Sequence, residues 1–298
     1  NRMSAFLGAL PGAVAQGLIW GIFAIGVYLT YKILDMADLT VDGTLCTGAS
    51  VCTVLILAGV HPVLAMLAAV LSGALAGALT GALHVFLGIP AILSGILTQM
   101  ILWSVNLKIL GKANQALGGR NTPVLLTQLN VPMALLVLVL VSAAVVALLY
   151  LFFGTEIGCA IRATGSNPVM SRAQGINTGW MKLCGLSVSN AIVALAGALL
   201  CQYQGFTDIN MGRGAVVIGL AAVVIGTALV RRTSANFAFR LCGVLAGAVV
   251  YYIIYQIIVL IGLDSDFLKM FSALVVAAFL GVPYLRRTFA EKRARKGD

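Results

Sequence analysis

The sequence predicts an all-α polytopic membrane protein, on three observations. The chain is 61% hydrophobic and 9% charged over 298 residues, against about 45–50% and 25% in a soluble domain. Uncharged or nearly uncharged runs of about 20 residues, the helix length that crosses a hydrocarbon core of about 30 Å, recur along it. Those runs are continuously apolar instead of alternating over ten residues, which excludes a closed β-barrel.

Nine spans are expected, near 4–31, 39–59, 62–88, 90–110, 132–153, 179–204, 214–230, 237–260 and 267–285. The first is too long for a signal-peptide core and has no basic leader beyond Arg2, so it is expected to remain as a span. Glycines recur at four-residue spacing: Gly17 and Gly21, then Gly73, Gly77 and Gly81, then Gly243 and Gly247. Such faces let helix backbones approach closely where lipid supplies no hydrophobic drive. The six cysteines, Cys46, Cys52, Cys159, Cys184, Cys201 and Cys242, form no C-x-x-C pair and read as small core residues. His61 and His84 are isolated and belong to no metal or catalytic cluster.

Two spans break into polar residues: Leu34 to Gly43, with Asp38 and Asp42, and Gln202 to Gly212, with Asp208 and Asn210. A carboxylate at membrane depth costs roughly 2.5–3.5 kcal/mol on insertion scales, so it is kept for a partner, a cavity or a substrate. Asp38, Asp42, Asp208 and Asn210 are therefore candidates for a substrate pathway; the alternative is helix capping at an interface. Each break follows a long apolar helix, and by the topology below the two helices run in opposite directions. This suggests two halves, about 5–110 and 178–285, related as an inverted repeat within a single transmembrane domain.

The polar island from Gly154 to Lys182 between the halves has its own punctuation. A few helical turns are expected from Thr155 to about Thr164, with Gly165 free to take the left-handed position at their end. Asn167 suits an N-cap, Pro168 the first helical position, and Gly175 the stop. A helix from Pro168 to Gln174 is only about two turns, too short to be stable alone in water, so it depends on packing against something else.

Lysine and arginine set the orientation, because short cytoplasmic loops carry their excess. With nine spans, thirteen of the 19 basic residues fall on one face. They are Lys32, Arg162, Arg172, Lys182, Arg231, Arg232, Arg240 and the six of the tail 286–298. The N-terminus is then outside, and the island and the basic tail are inside. Topology accounts for the net charge of +10, so no nucleic-acid partner is needed; the tail is a positive-inside anchor that can also meet anionic lipid.

Several classes are excluded or unsupported. Gly111-Lys112 lacks the rest of a P-loop, and no H-E-x-x-H, G-x-S-x-G, selectivity-filter or voltage-sensor pattern occurs. No metal site or catalytic residue is expected.

The run from Gly158 through Arg162, Gly165, Arg172 and Gly175 to Asn177, followed by Ala194 to Ala198 and Gln202 to Phe206, resembles the permease subunits of bacterial ABC importers of the branched-chain amino acid and ribose type. The Gly17 to Thr30 run and the break at Met36-Ala37-Asp38 are similar to that family's first span. Where its amino acid permeases have Asn and a later His-Gly pair, this chain has Asp38 and Val41-Asp42.

The resemblance implies a transport subunit of the bacterial inner membrane, with no cofactor of its own. ATP and Mg would be bound by a separate cytoplasmic ATPase that grips a coupling element of about Thr155 to Asn177. Within it, Glu156, Arg162 and Arg172 would be charged positions, Gly165 and Gly175 joints, and Asn167, Pro168 and Asn177 helix boundaries. A second permease copy and an external solute-binding protein would complete the assembly. Amino acids come first as substrate, then sugars or nucleosides. The intramembrane carboxylates equally suit an ion-coupled secondary transporter, and a non-transporting scaffold is a third possibility.

Overall fold

The computed structural model describes residues 2–117, 124–230 and 236–260, with a few helical positions between 270 and 281. The ninth expected span, apart from those positions, and the whole basic tail lie outside the described residues, as do Arg120, Arg231 and Arg232.

Helix α1 (Arg2–Tyr28) runs into a π turn (Leu29–Ile33) and is followed by α2 (Thr40–Leu57), α3 (Pro62–Val85) and α4 (Ala91–Leu110). After α5 (Val131–Gly154) come the short helices α6 (Glu156–Ser166) and α7 (Pro168–Ala173). Then α8 (Thr178–Gln204), α9 (Ala215–Val230) and α10 (Phe237–Leu260) follow. Two three-residue strands, β1 (Asn114–Ala116) and β2 (Phe206–Asp208), pair antiparallel with Gln115 opposite Thr207.

Among the described residues seven helices are long and apolar enough to cross a membrane, where eight of the nine expected spans fall. The exception is α9: its 16 residues make about 24 Å at 1.5 Å per residue, short of a hydrocarbon core of about 30 Å. The chain before α9 is half buried, with Thr207, Ile209 and Gly212 packed inward and Asn210, Arg213 and Gly214 exposed.

Helix α3 packs along α8 and α1 along α10, while α2 lies on α8 and α9 on both α1 and α10. The glycine spacing explains the closeness of these crossings. A Cβ on Gly73, Gly77 or Gly81 would collide with the α8 backbone at Asn190, Leu186 or Leu183. Gly17 and Gly21 meet Val249 and Leu245 of α10, and Gly247 meets Gly226 of α9. With no hydrophobic gain from leaving lipid, dispersion at close backbone contact holds such helices together.

The densest core surrounds α1 and α8, where Ile22, Phe23, Ile25, Val193 and Leu199 are buried. By contrast α4 and α5 expose most of their apolar surface, as do Leu64, Leu71 and Leu75 on α3. The cysteines divide in the same way. Cys46, Cys52 and Cys201 are buried as expected of core residues, but Cys159 and Cys242 are exposed, because each sits on the outward face of a helix.

Candidate functional site

The polar island forms two capped helices that lean on the first helix break. The Thr155 hydroxyl accepts from Gly158 N–H (3.3 Å) at the start of α6, with Glu156 in the first turn, where a negative charge meets unpaired amides. The Arg162 guanidinium turns back to donate to the Phe153 carbonyl at the end of α5 (2.6 Å) and lies 5.9 Å from the Phe237 ring centroid. Arg162 thus ties α5, α6 and α10 together.

Gly165 differs from the expected left-handed stop. Helix α6 continues through it to Ser166, and a Cβ there would collide with the carbonyl oxygen of Ile33, the last residue of the π turn after α1. The glycine is needed for close approach, a requirement that only the packing reveals. Asn167 caps α7 by accepting from Met170 N–H (3.0 Å), and Pro168 occupies the first position. Gly175, with φ of 81°, turns the chain out of α7, and Asn177 caps α8 by accepting from Trp180 N–H (3.2 Å). Arg172 donates to the Thr178 hydroxyl (2.9 Å) across that turn. Val169 and Met170, at 77% and 58% exposure, project from α7 with no apolar neighbour covering them among the described residues.

The first break is a hydrogen-bonded knot inside the bundle. Leu34 N–H donates to Leu29 O, Asp35 takes a left-handed conformation (φ 53°), and Met36 N–H reaches Thr30 O. Asp38 is buried: one carboxylate oxygen accepts from Thr40 N–H (2.9 Å) at the start of α2, and the other from the Asn190 amide (2.8 Å). Asn190 in turn accepts from the Thr44 hydroxyl (2.7 Å), and Thr40 shares a hydrogen bond with Thr80 of α3 (2.7 Å). Asn190 lies 12 residues into α8, about 18 Å along its axis, so this network sits deep in the bundle.

Asp42 caps a helix, though not its own. Its carboxylate accepts from Gly214 N–H (3.0 Å) and Val216 N–H (2.8 Å), the unpaired amides at the start of α9. Gly212 lies against the Asp42 carbonyl, where a Cβ would not fit. The two broken regions therefore meet, and Asp42 closes the joint between them. Asp208 is apart from this joint. It accepts from Asn210 N–H (2.7 Å) and, at 3.5 Å, from the Asn114 amide beside the β1–β2 pair. Asp38 thus ties the first break to α8 and Asp42 closes the joint, whereas Asp208 and exposed Asn210 shape the turn that leads to it.

Asn190, Thr44 and Thr80 were not singled out in the sequence, and neither was Asn106, buried on α4 beside Gly43. The signal was present for Asn190 and Asn106, as single amides in the middle of apolar runs.

A family model described as branched-chain amino acid transport system / permease component matches residues 10–282. A tyrosine transport system permease protein of Clostridioides difficile (strain R20291) is 35% identical over 296 residues, 97% of this chain and 96% of its own length. An uncharacterized protein, RP368, of Rickettsia prowazekii (strain Madrid E) is 31% identical over 277 residues, 92% of this chain and 97% of its own. A probable ABC transporter permease protein, YphD, of Escherichia coli (strain K12) is 28% identical over 170 residues, 55% of this chain and 48% of its own. No solved structure matches the chain. With a family model spanning nearly the whole bundle and a permease similar from end to end, the chain belongs to the branched-chain amino acid permease family of ABC transporters and is a multi-pass transport subunit, not an enzyme.

Proposed function

We propose that this permease carries an amino acid across the bacterial inner membrane, receiving it from an external binding protein and driven by a separate cytoplasmic ATPase that holds the ATP and Mg. The observation that carries this reading is the pair Val169 and Met170, exposed on a capped two-turn helix outside the membrane spans. An apolar tip on so short a helix is stable and soluble only with a partner over it. The tyrosine permease similar over 97% of the chain supports an amino acid as cargo.

In this reading α6 and α7 face the cytoplasm, the N-terminus lies outside, and two copies of the chain enclose the path. The halves 5–110 and 178–285 form an inverted repeat, which the reciprocal packing of α1 on α10 and α3 on α8 supports. ATP-driven movement of α7 passes through α6 to the π turn at Ile33, and from there to Asp38 and the start of α2. The bundle then shifts between outward- and inward-facing arrangements because the ATPase binds the two states differently. Asp38, Asp42, Asp208 and Asn210 act along the pathway by setting the geometry of the broken helices.

The test is purification followed by uptake in vesicles. The permease copurifies with an ATPase and accumulates labelled L-tyrosine or another amino acid only when ATP and the binding protein are supplied. Accumulation by the permease alone under an ion gradient would assign it to the secondary carriers instead.

A further inference from the structure

A cleft of about 470 Å³ opens between α2, α4 and the chain before α9, within the range of about 300–1,000 Å³ common for small-molecule sites. Asp42, Asn106 and Arg213 supply its charged and amide groups, and Trp103 and Met100 its apolar wall. Asn106 is 1% exposed; its amide N–H donates weakly to Gly43 O (3.4 Å), but its Oδ1 has no hydrogen-bond partner among the described residues. A buried acceptor left unpaired costs about 1–3 kcal/mol, so Oδ1 is open to a partner from outside the described residues. The Arg213 guanidinium likewise has no ion-pair partner among the described residues. Asp42 already accepts two backbone N–H groups, but a carboxylate has about four acceptor positions and so keeps capacity for another donor.

The wall itself carries polar side chains. Gln99 and Ser104 line the cleft from the middle of α4, and Ser104 is exposed. Uncovered polar groups at that depth are not tolerated by hydrocarbon, so this side of α4 faces water or protein.

On the reading of the protein as an amino acid permease, we infer that this cleft is a recognition point for the zwitterionic head of the cargo. Arg213 meets the α-carboxylate, Asn106 Oδ1 and Asp42 accept from the α-ammonium, and Trp103 with Met100 packs against the side chain. One cation and one set of acceptors in a shared cleft match the charges of a free α-amino acid. They fit a neutral sugar less well, since it offers no charge to Arg213.

The experiment measures ATP-dependent uptake of labelled L-tyrosine and L-alanine by the complete system, with the same binding protein throughout so that differences between variants report the permease. Variants are compared only if they still copurify with the ATPase. Arg213→Gln and Asn106→Leu are expected to lower uptake of both at least tenfold. Arg213→Lys, which keeps the charge, and Asn106→Asp, which keeps an acceptor, retain a larger share. Trp103→Ala changes the tyrosine-to-alanine ratio at least threefold, which a merely structural role would leave unchanged. Arg213 is exposed, so its variants test the inference even if Asn106→Leu fails to assemble. Wild-type uptake of tyrosine with unchanged rates in both Arg213 variants overturns the cleft while leaving the amino acid reading intact. If the wild-type system takes up none of the twenty labelled amino acids, that reading falls, and this inference with it.

Discussion

Gly165 of α6 lies against the carbonyl oxygen of Ile33 with no room for a side chain between them. The contact joins the α6–α7 pair to the π turn that ends α1, five residues before Asp38 and the buried network at the start of α2. A displacement of α6 cannot be absorbed there by a flexible side chain, because both partners are backbone. In a packed interior such contacts shift as a unit.

Gly165→Val should therefore uncouple the protein more than it unfolds it. Overpacking costs about 1–3 kcal/mol, and the mismatch here falls on the joint itself. The expected outcome is at least a tenfold loss of ATP-dependent uptake with the permease still inserted and still bound to its ATPase. Uptake and copurification measured on one membrane preparation check it.

Asp42→Ala removes the cap from α9 and leaves Gly214 and Val216 N–H groups without an acceptor. Losing an N-cap costs about 0.5–2 kcal/mol, and hydrogen bonds to a charged group add to that. Thermal unfolding in detergent is expected to fall by several degrees for Asp42→Ala and by less for Asp42→Asn, whose amide oxygen still accepts. Equal midpoints for wild type and Asp42→Ala would show that α9 starts without this cap.

The Asp38–Asn190 bond is deeper and has fewer alternatives. Asn190→Leu leaves one Asp38 oxygen unpaired and removes one of the two acceptors of the Thr44 hydroxyl, which keeps the Thr40 carbonyl (3.1 Å). Hydrogen bonds to charged groups are worth about 1.5–3 kcal/mol, so this variant should be less stable than Asp42→Asn. Asp38→Asn keeps one acceptor but turns its NH2 toward the other donor, so it is expected to lose one of the two bonds and to be destabilised as well, by less than Asn190→Leu. Parallel thermal scans of the three variants check the order.

On α7 the expectation is reversed. Val169→Asp and Met170→Asp change exposed positions, where effects on folding usually stay within about 0.5 kcal/mol. Both should nonetheless reduce the amount of ATPase recovered with the permease in pull-down. Charge reversal at Arg162 should behave differently, because its guanidinium is bonded to Phe153 O; Arg162→Glu is expected to lower the unfolding midpoint as well as ATPase recovery. Loss of recovery with no change in midpoint would assign Arg162 to docking alone.

The long helices were legible because membrane-crossing sequence is a one-dimensional signal: a run such as Val131–Gly154 is apolar regardless of what it packs against. The caps at Asn167, Pro168 and Gly175 were legible for a similar reason, since each acts on backbone within a few residues of itself. The bounds of α9 were legible too, since the expected 214–230 is within one residue of Ala215–Val230, but its capping by Asp42 was not, because that depends on which distant element packs at its start. Gly165 was assigned a turn when its role is contact, since a glycine in sequence does not say whether its freedom or its smallness is used.

By itself, then, the sequence determined that the chain is a bundle of membrane helices with two polar breaks and a doubly capped polar element between them. Apolar run length and local backbone chemistry require no knowledge of distant residues. Only the tertiary structure decided that Asp42 caps α9 from 172 residues away, that Asp38 bonds to Asn190, and that α6 bears on Ile33. Those pairings depend on which helix surfaces the glycines allow to meet, and that is a property of three-dimensional packing.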